Sequence, residues 1–187
     1  MARPDREEQI LSAVITLLGR DGLAGVSVRS VAREAGVAHG LVAYYFEDKT
    51  HLIEAALRRV EAEDLDLLEP DPHLNPAAQL RQVLRRILDP AFLTTDYLAL
   101  RLQLWALAPA NDDFAEINAT AQRRYRERLA DLIANAVPGI AKAEAKRRAA
   151  DIDIIQNGIW LTALLRINQA SLKRAGKRCE DIAFNGA

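Results

Sequence analysis

The run from Ser27 to Lys49 reads Ser-Val-Arg-Ser-Val-Ala-Arg-Glu-Ala-Gly-Val-Ala-His-Gly-Leu-Val-Ala-Tyr-Tyr-Phe-Glu-Asp-Lys. Helical spacing sorts its second half into two faces. Val42 and Phe46, four apart, turn inward, which leaves His39, Leu41, Ala43 and Tyr44 outward. Such a set suits the edge of a base pair: Leu41 and Ala43 match thymine methyls in size, and His39 can reach a base edge or a phosphate. Gly40 costs ~1 kcal/mol in a helix relative to alanine, so its presence points to a close approach of backbone to a partner. Lys49 falls in the first turn of a following helix, where the dipole disfavours a cation; a phosphate would explain it. Taken singly, each has a plainer reading: His39 as a surface histidine, Tyr44 and Tyr45 as core aromatics, Lys49 as a solvated charge.

Other chemistries find less support. Gly19, Gly22 and Gly25 follow no strand, do not form Gly-x-Gly-x-x-Gly and precede no Gly-Lys-Ser/Thr, so they read as loop glycines rather than a phosphate cradle. His39, His51 and His73 are scattered, and Asp48 with His51 makes only half of a metal site. Cys179, the single cysteine, has no histidine near it in sequence and reads as an incidental thiol. The expectation is a protein without catalytic residues, metal or cofactor.

The elements that position these residues come from the apolar spacing. The chain has 187 residues, 50% hydrophobic and 27% charged, enough for a core and one or two domains. The period is helical almost throughout, which predicts an all-α fold. A first helix is expected over 5–19 on Ile10, Ala13, Val14, Leu17 and Leu18, then a glycine loop. Ser27 caps a short helix bearing Val28, Val31, Ala32 and Ala35, and Gly36 ends it. A very short helix follows over 38–45, and Asp48 caps a longer one with Leu52, Ile53, Ala56, Leu57, Val60 and Leu67. Asn75-Pro76 reads as N-cap and N1 of a helix ending near Asp89. Further helices are expected over 91–108, 111–136 and 142–173, the last stopped by Gly176, with one short terminal helix over 179–184. Net charge is −1. Residues 1–60 hold 8 Lys/Arg and 8 Asp/Glu, residues 61–120 hold 4 and 11, and residues 121–187 hold 13 and 7. Bulk charge therefore gives a nucleic-acid role no support; the case rests on placement. The lone cysteine and the lack of any apolar run near ~18 residues predict an untargeted, cytoplasmic protein off the membrane.

Short helix, glycine turn, short helix is the helix-turn-helix arrangement. In register over some 25 residues, Val31-Ala32, Ala35-Gly36-Val37, Gly40, Tyr45-Phe46, Lys49 and Leu52 closely resemble the DNA-binding motif of the TetR family of transcriptional regulators. Ala38 departs from the pattern where Ser or Thr often caps the third helix, and Ala43 where Tyr is common. Ala43, with Leu102-Gln-Leu-Trp105, Tyr125-Arg-Glu-Arg-Leu129 and Asn157-Gly-Ile-Trp160, is similar to the BetI subgroup. The resemblance implies that Ser27, Arg29, Tyr44, Tyr45 and Lys49 hold phosphates or, for Arg29, a base. With His39, Gly40, Leu41 and Ala43 they form the expected DNA face.

The same resemblance implies a DNA-binding domain over 1–50, joined by a long helix to an effector-binding and dimerisation domain over 51–187. Candidate ligand residues are Phe92, Tyr97, Gln103, Trp105, Phe114, Asn118, Gln156, Asn157 and Trp160, each with a packing role as its plainer reading. Choline-like quaternary ammonium effectors follow from the subgroup, and an aromatic cage is the physical means to hold one. The acidic middle of the chain agrees with a cationic effector and equally with solvated helix faces. For a homodimer the helix over 142–173 is the candidate, with Gly158 and Ala163 beside Ile155, Ile159, Trp160, Leu164 and Ile167, the interface being trimmed by the short last helix or supplemented by the helix over 111–136. Arg123, Arg124, Arg126 and Arg128 read as a solvated face rather than a nucleic-acid patch. The expected function is a ligand-responsive regulator, acting as a repressor, that binds a palindromic double-stranded DNA operator as a dimer and is released by a small molecule. The alternative is a helical small-molecule binding or adaptor protein without DNA binding.

Overall fold

The computed structural model describes residues 5–86, 88–89, 93–165 and 169–186. Among the described residues all regular structure is helical, as the spacing predicts. Helix α1 (Arg6–Gly25) opens with the Asp5 carboxylate accepting the Glu7 N–H, with Glu7 and Glu8 in the positive first turn. It buries Ile10, Leu11, Ala13, Val14, Leu17 and Leu18. The expected stop at Gly19 is wrong. The chain stays helical to Asp21, kinks at Gly22 (φ 68°, ψ −171°), a conformation open essentially to glycine alone, and makes one more turn to Gly25. A glycine weakens a helix interior without ending it; the break comes where the backbone leaves helical angles.

Helix α2 (Val28–Ala35) begins in a reciprocal cap: the Ser30 N–H donates to Ser27 Oγ at 3.1 Å and the Ser27 N–H to Ser30 Oγ at 2.9 Å. It ends at Gly36 in the left-handed region (φ 65°). Gln9 of α1 donates its amide to the Ala35 carbonyl at 2.7 Å, so the end of α2 is held by a neighbouring helix. Helix α3 (His39–Tyr45) starts at Ala38 without a side-chain cap. Helix α4 (Lys49–Asp66) takes its cap from Asp48, whose carboxylate accepts the His51 N–H at 3.0 Å, and buries Leu52, Ile53, Ala56, Leu57 and Val60.

Two compact units result. One holds the chain to Ala62 with Ala99–Asn118, and the other holds Glu63–Leu98 with the chain from Ala119 onward. In the second, Asn75 Oδ1 accepts the Ala78 N–H at 2.9 Å and Pro76 opens α5 (Pro76–Arg86), as the dipeptide predicts. Helices α6 (Thr95–Leu107) and α7 (Asp112–Ala136) follow, with a short 3-10 turn over Ala108–Ala110 between them.

The last two helices correct the sequence reading. Helix α8 is Lys142–Leu164, ending well before 173, and α9 spans Gln169–Asn185, 17 residues rather than a short stub. Gly176 stops nothing. A Cβ there would lie 2.1 Å from Leu88 Cδ1, so the glycine serves close packing inside α9. Leu172, Cys179, Ile182 and Ala183 form the buried face of that helix, which packs along α8 and against α5. Nothing local accounts for the end of α8 at Leu-Leu-Arg-Ile-Asn-Gln, which holds neither glycine nor proline.

Ile159 and Trp160, expected at a dimer surface, are buried in the chain itself at 2% and 3% exposure. The exposed stripe is instead Ile154, Gly158 and Leu161 of α8 with Leu165 at its C-cap, spaced 4, 3 and 4. Ile167 lies outside the described residues. No helix among the described residues is long and apolar enough to cross a membrane.

Candidate nucleic-acid interface

The sorting of α3 into two faces is as the spacing predicts. Val42 is fully buried and Phe46 is 6% exposed, and together they dock α3 on the first unit. His39, Gly40, Ala43 and Tyr44 are exposed, Tyr44 at 80%, and Leu41 is half-buried. The Tyr44 and Tyr45 rings meet edge to face with centroids 5.3 Å apart, which orders two exposed phenols beside one another. Around Gly40 a Cβ would meet nothing within 4 Å, so packing within the chain does not require glycine there.

The flanking residues divide by what already holds them. Arg29 is exposed on α2. The Ser27 hydroxyl is engaged in the α2 cap, 2.9 Å from Ser30 Oγ. The Lys49 ammonium donates to the Leu23 carbonyl at 2.6 Å, across to the turn of α1 beyond the kink. That bond accounts for a cation in the first turn of α4 without a phosphate. Asp48 beside it is held below the usual carboxylate range, chiefly by the His51 N–H, and its Oδ1 lies 3.2 Å from His51 Nδ1. On the other side of the motif, Arg20 bridges Asp21 at 2.9 Å and Glu34 of α2 at 3.1 Å.

The ligand candidates fall into separate groups. In the second unit, Tyr97 and Trp160 meet edge to face, centroids 6.5 Å apart at 86°, and the Tyr97 hydroxyl donates to the buried Asp64 carboxylate. Gln156, at 1% exposure, accepts the Tyr125 hydroxyl at 2.6 Å, and Asn157 is half-buried one residue on. Burial pushes the Tyr125 phenol well above its ordinary range. Asp153, one turn before Gln156, is 4% exposed and pairs with Arg126 at 2.6 Å. In the first unit, Trp105 lies beneath the Arg101 guanidinium at 5.1 Å from the ring centroid, and Phe114 is buried. The Asn118 amide donates to the Phe114 carbonyl at 2.9 Å, inside its own helix, and Gln103 sits against Gly22. Phe92 lies outside the described residues.

Sequence reasoning missed Asp64, Tyr125 and Asp153 as members of this polar group. The signal was present: Asp64 continues the buried row Leu57 and Val60 of its helix, and Asp153 stands beside Ile152 on the row Ala149 and Gln156. A carboxylate on an apolar row must find a partner inside. Three arginines of the α7 run are likewise engaged within the protein: Arg126 with Asp153, Arg128 with Glu69 at 3.1 Å, and Arg123 with the Thr120 hydroxyl at 2.9 Å.

Comparison with known proteins agrees with both regions. The model for bacterial regulatory proteins of the tetR family matches residues 10–56, and that for the C-terminal part of BetI-type transcriptional repressors matches residues 76–183. The HTH-type transcriptional regulator BetI of Serratia proteamaculans is 27% identical over 176 residues, covering 90% of this chain and 87% of that protein. Its counterpart in Stenotrophomonas maltophilia is 28% identical over 166 residues, 87% and 83% of the two chains. Among solved structures, a transcriptional regulator from Rhodococcus sp. Rha1 superposes with a TM-score of 0.77 at 26% identity, over 97% of each chain. A putative transcriptional regulator from Saccharomonospora viridis, solved in complex with choline, has the same fold at 20% identity, with a TM-score of 0.74 over 94% of each chain.

Proposed function

We propose, from the premise that this chain belongs to the tetR family of bacterial regulatory proteins and carries a BetI-type repressor C-terminal region, a specific division of labour among its residues. The protein is a transcriptional regulator with a DNA-binding helix-turn-helix and a C-terminal ligand-binding region. In our reading α3 enters the major groove. Leu41 and Ala43 contact base edges and methyls, His39 a base edge or phosphate, and Arg29, Tyr44, Tyr45 and Ser27 hold the backbone. Gly40 lets the helix lie close. Lys49 contributes through its bond to Leu23 as much as through charge. Residues 1–50 form the DNA-binding head and 51–187 the effector and dimer region. The carrying observation is that Tyr44 stands 80% exposed on a helix whose opposite face, at Val42, is fully buried.

Two copies bind a palindromic operator in the cytoplasm, recognition helices about 34–36 Å apart in successive major grooves. The effector is a small cation, held by Tyr97 and Trp160 with Asp64 behind. Aromatic faces and a buried carboxylate are what a quaternary ammonium needs, and the choline bound by the Saccharomonospora protein supports the same class. Its binding shifts α4 and changes the separation of the two heads, which releases the operator. No residue in this reading does covalent chemistry: the chain binds rather than catalyses.

Gel retardation of duplexes from upstream of the protein's own coding sequence, run across a salt series, tests the DNA reading. The expected result is retardation that weakens with salt, because phosphate contacts release counterions, and weakens further in Tyr44→Ala and Arg29→Ala. Binding that ignores both salt and these substitutions overturns it. Thermal-shift titration with choline tests the effector class separately.

A further inference from the structure

The turn Leu23–Gly25, beyond the α1 kink, is fastened to both neighbouring helices of the DNA-binding head. Ser30 of α2 donates its hydroxyl to the Gly25 carbonyl at 2.7 Å, and Lys49 of α4 donates to the Leu23 carbonyl at 2.6 Å. The Arg20–Glu34 pair ties the helix just before the kink to α2. What this turn does, α2 and α4 must follow. The joint that aims it is Gly22, whose backbone angles only glycine adopts readily.

One side chain from outside the head meets that joint. Gln103 of α6 places Oε1 3.3 Å from where a Cβ of Gly22 would stand, so the amide lies close against the bare face of that glycine. We propose that Gln103 is a positioning residue for the recognition helix: it props the Gly22 kink, and so sets where the Leu23–Gly25 turn holds α2 and α4. Gln103 is then not a wall of an effector pocket. It is the point at which α6, a helix of the BetI-type region, bears on the head. Glycine at position 22 is required by its backbone angles, and a side chain there would also press on the Gln103 amide by a few tenths of an ångström. Only the last step, from head geometry to operator affinity, rests on the DNA-binding reading.

Hydrogen exchange of the full-length chain, followed by mass spectrometry, tests the positioning role without DNA. Gln103→Ala removes the prop and is expected to speed exchange in peptides over 22–30 by about fivefold, with peptides over α9 unchanged. Gln103→Met, unbranched and of similar reach, restores the parent rate. Operator affinity in gel retardation follows the same order: about fivefold weaker for Gln103→Ala and parent-like for Gln103→Met. Parent-like exchange in Gln103→Ala overturns the proposal. So does faster exchange everywhere, α9 included, because that marks a general loss of stability. A parent chain that retards no duplex, with the exchange pattern as expected, leaves the prop standing and defeats the regulator reading instead.

Discussion

Arg126 of α7 reaches Asp153 of α8 at 2.6 Å, with the Asp153 side chain 6% exposed and the arginine 39%. The carboxylate is therefore a buried charge whose partner comes in from the surface. Removing the arginine takes a charged partner from a buried carboxylate, whereas neutralising the acid costs less. Arg126→Ala is expected to lower unfolding free energy by roughly 2 kcal/mol, reduced from the fully buried case because solvent reaches the guanidinium. Asp153→Asn should lose about half as much. Urea denaturation of both variants checks the order; equal losses would contradict it.

The exposed and buried faces of α3 should separate function from folding. Tyr44→Ala is expected to leave the urea midpoint within about 0.5 kcal/mol of the parent and to weaken operator binding about tenfold. Val42→Ala, at a position with no exposure, is expected to cost about 2 kcal/mol of stability. Equal stability losses in the two variants would mean that the tyrosine is structural.

Cys179 gives a pH dependence with a definite sign. Burial pushes its thiol up to about 11, above the ordinary thiol value of about 8.5. The folded state keeps a proton that the unfolded chain gives up. The stability from the neutral thiol is present below pH ~8.5 and lost as pH rises through about 11. The difference in urea stability between the parent and Cys179→Ala should be constant below pH 8 and shrink from about pH 9 upward. A constant difference across that window would show that the thiol does not titrate as a buried group.

The stripe of Ile154, Gly158 and Leu161 on α8 with Leu165 at its C-cap leaves three large apolar side chains 63%, 44% and 57% exposed. Burying such a row against a second copy is the expected route to the dimer. Leu161→Arg should shift sedimentation from dimer to monomer and reduce operator affinity at nanomolar protein, with helical content retained. A parent that sediments as a monomer at micromolar concentration would remove this stripe as the interface.

Legibility followed the range of the forces involved. The caps at Ser27, Gly36 and Asn75-Pro76 were readable because each is settled within three or four residues by hydrogen bonds the backbone itself demands. The two faces of α3 were readable because the Val42 and Phe46 spacing decides them. Gly19 and Gly176 were misread as helix stops for one reason: a glycine that ends a helix and a glycine that a helix runs through look alike in sequence. For Gly176 only Leu88, far along the chain, tells them apart. Asp64 and Asp153 were passed over because amphipathic reading asks which residues are apolar. The question that finds them is which acid stands among apolar neighbours and what answers it. The engagement of Lys49 with Leu23 was out of reach, since it depends on a kink that spacing does not announce.

The open space around Gly40 has a consequence for how this protein could change. Adding a methyl there would meet nothing within 4 Å beyond its own stretch of helix and would favour the helix, so packing within the chain does not call for glycine. On the proposed reading, in which α3 lies in the major groove, position 40 is a place where a promoter, rather than the chain's own packing, would limit the side chains tolerated, and where a new target preference could arise at little structural penalty.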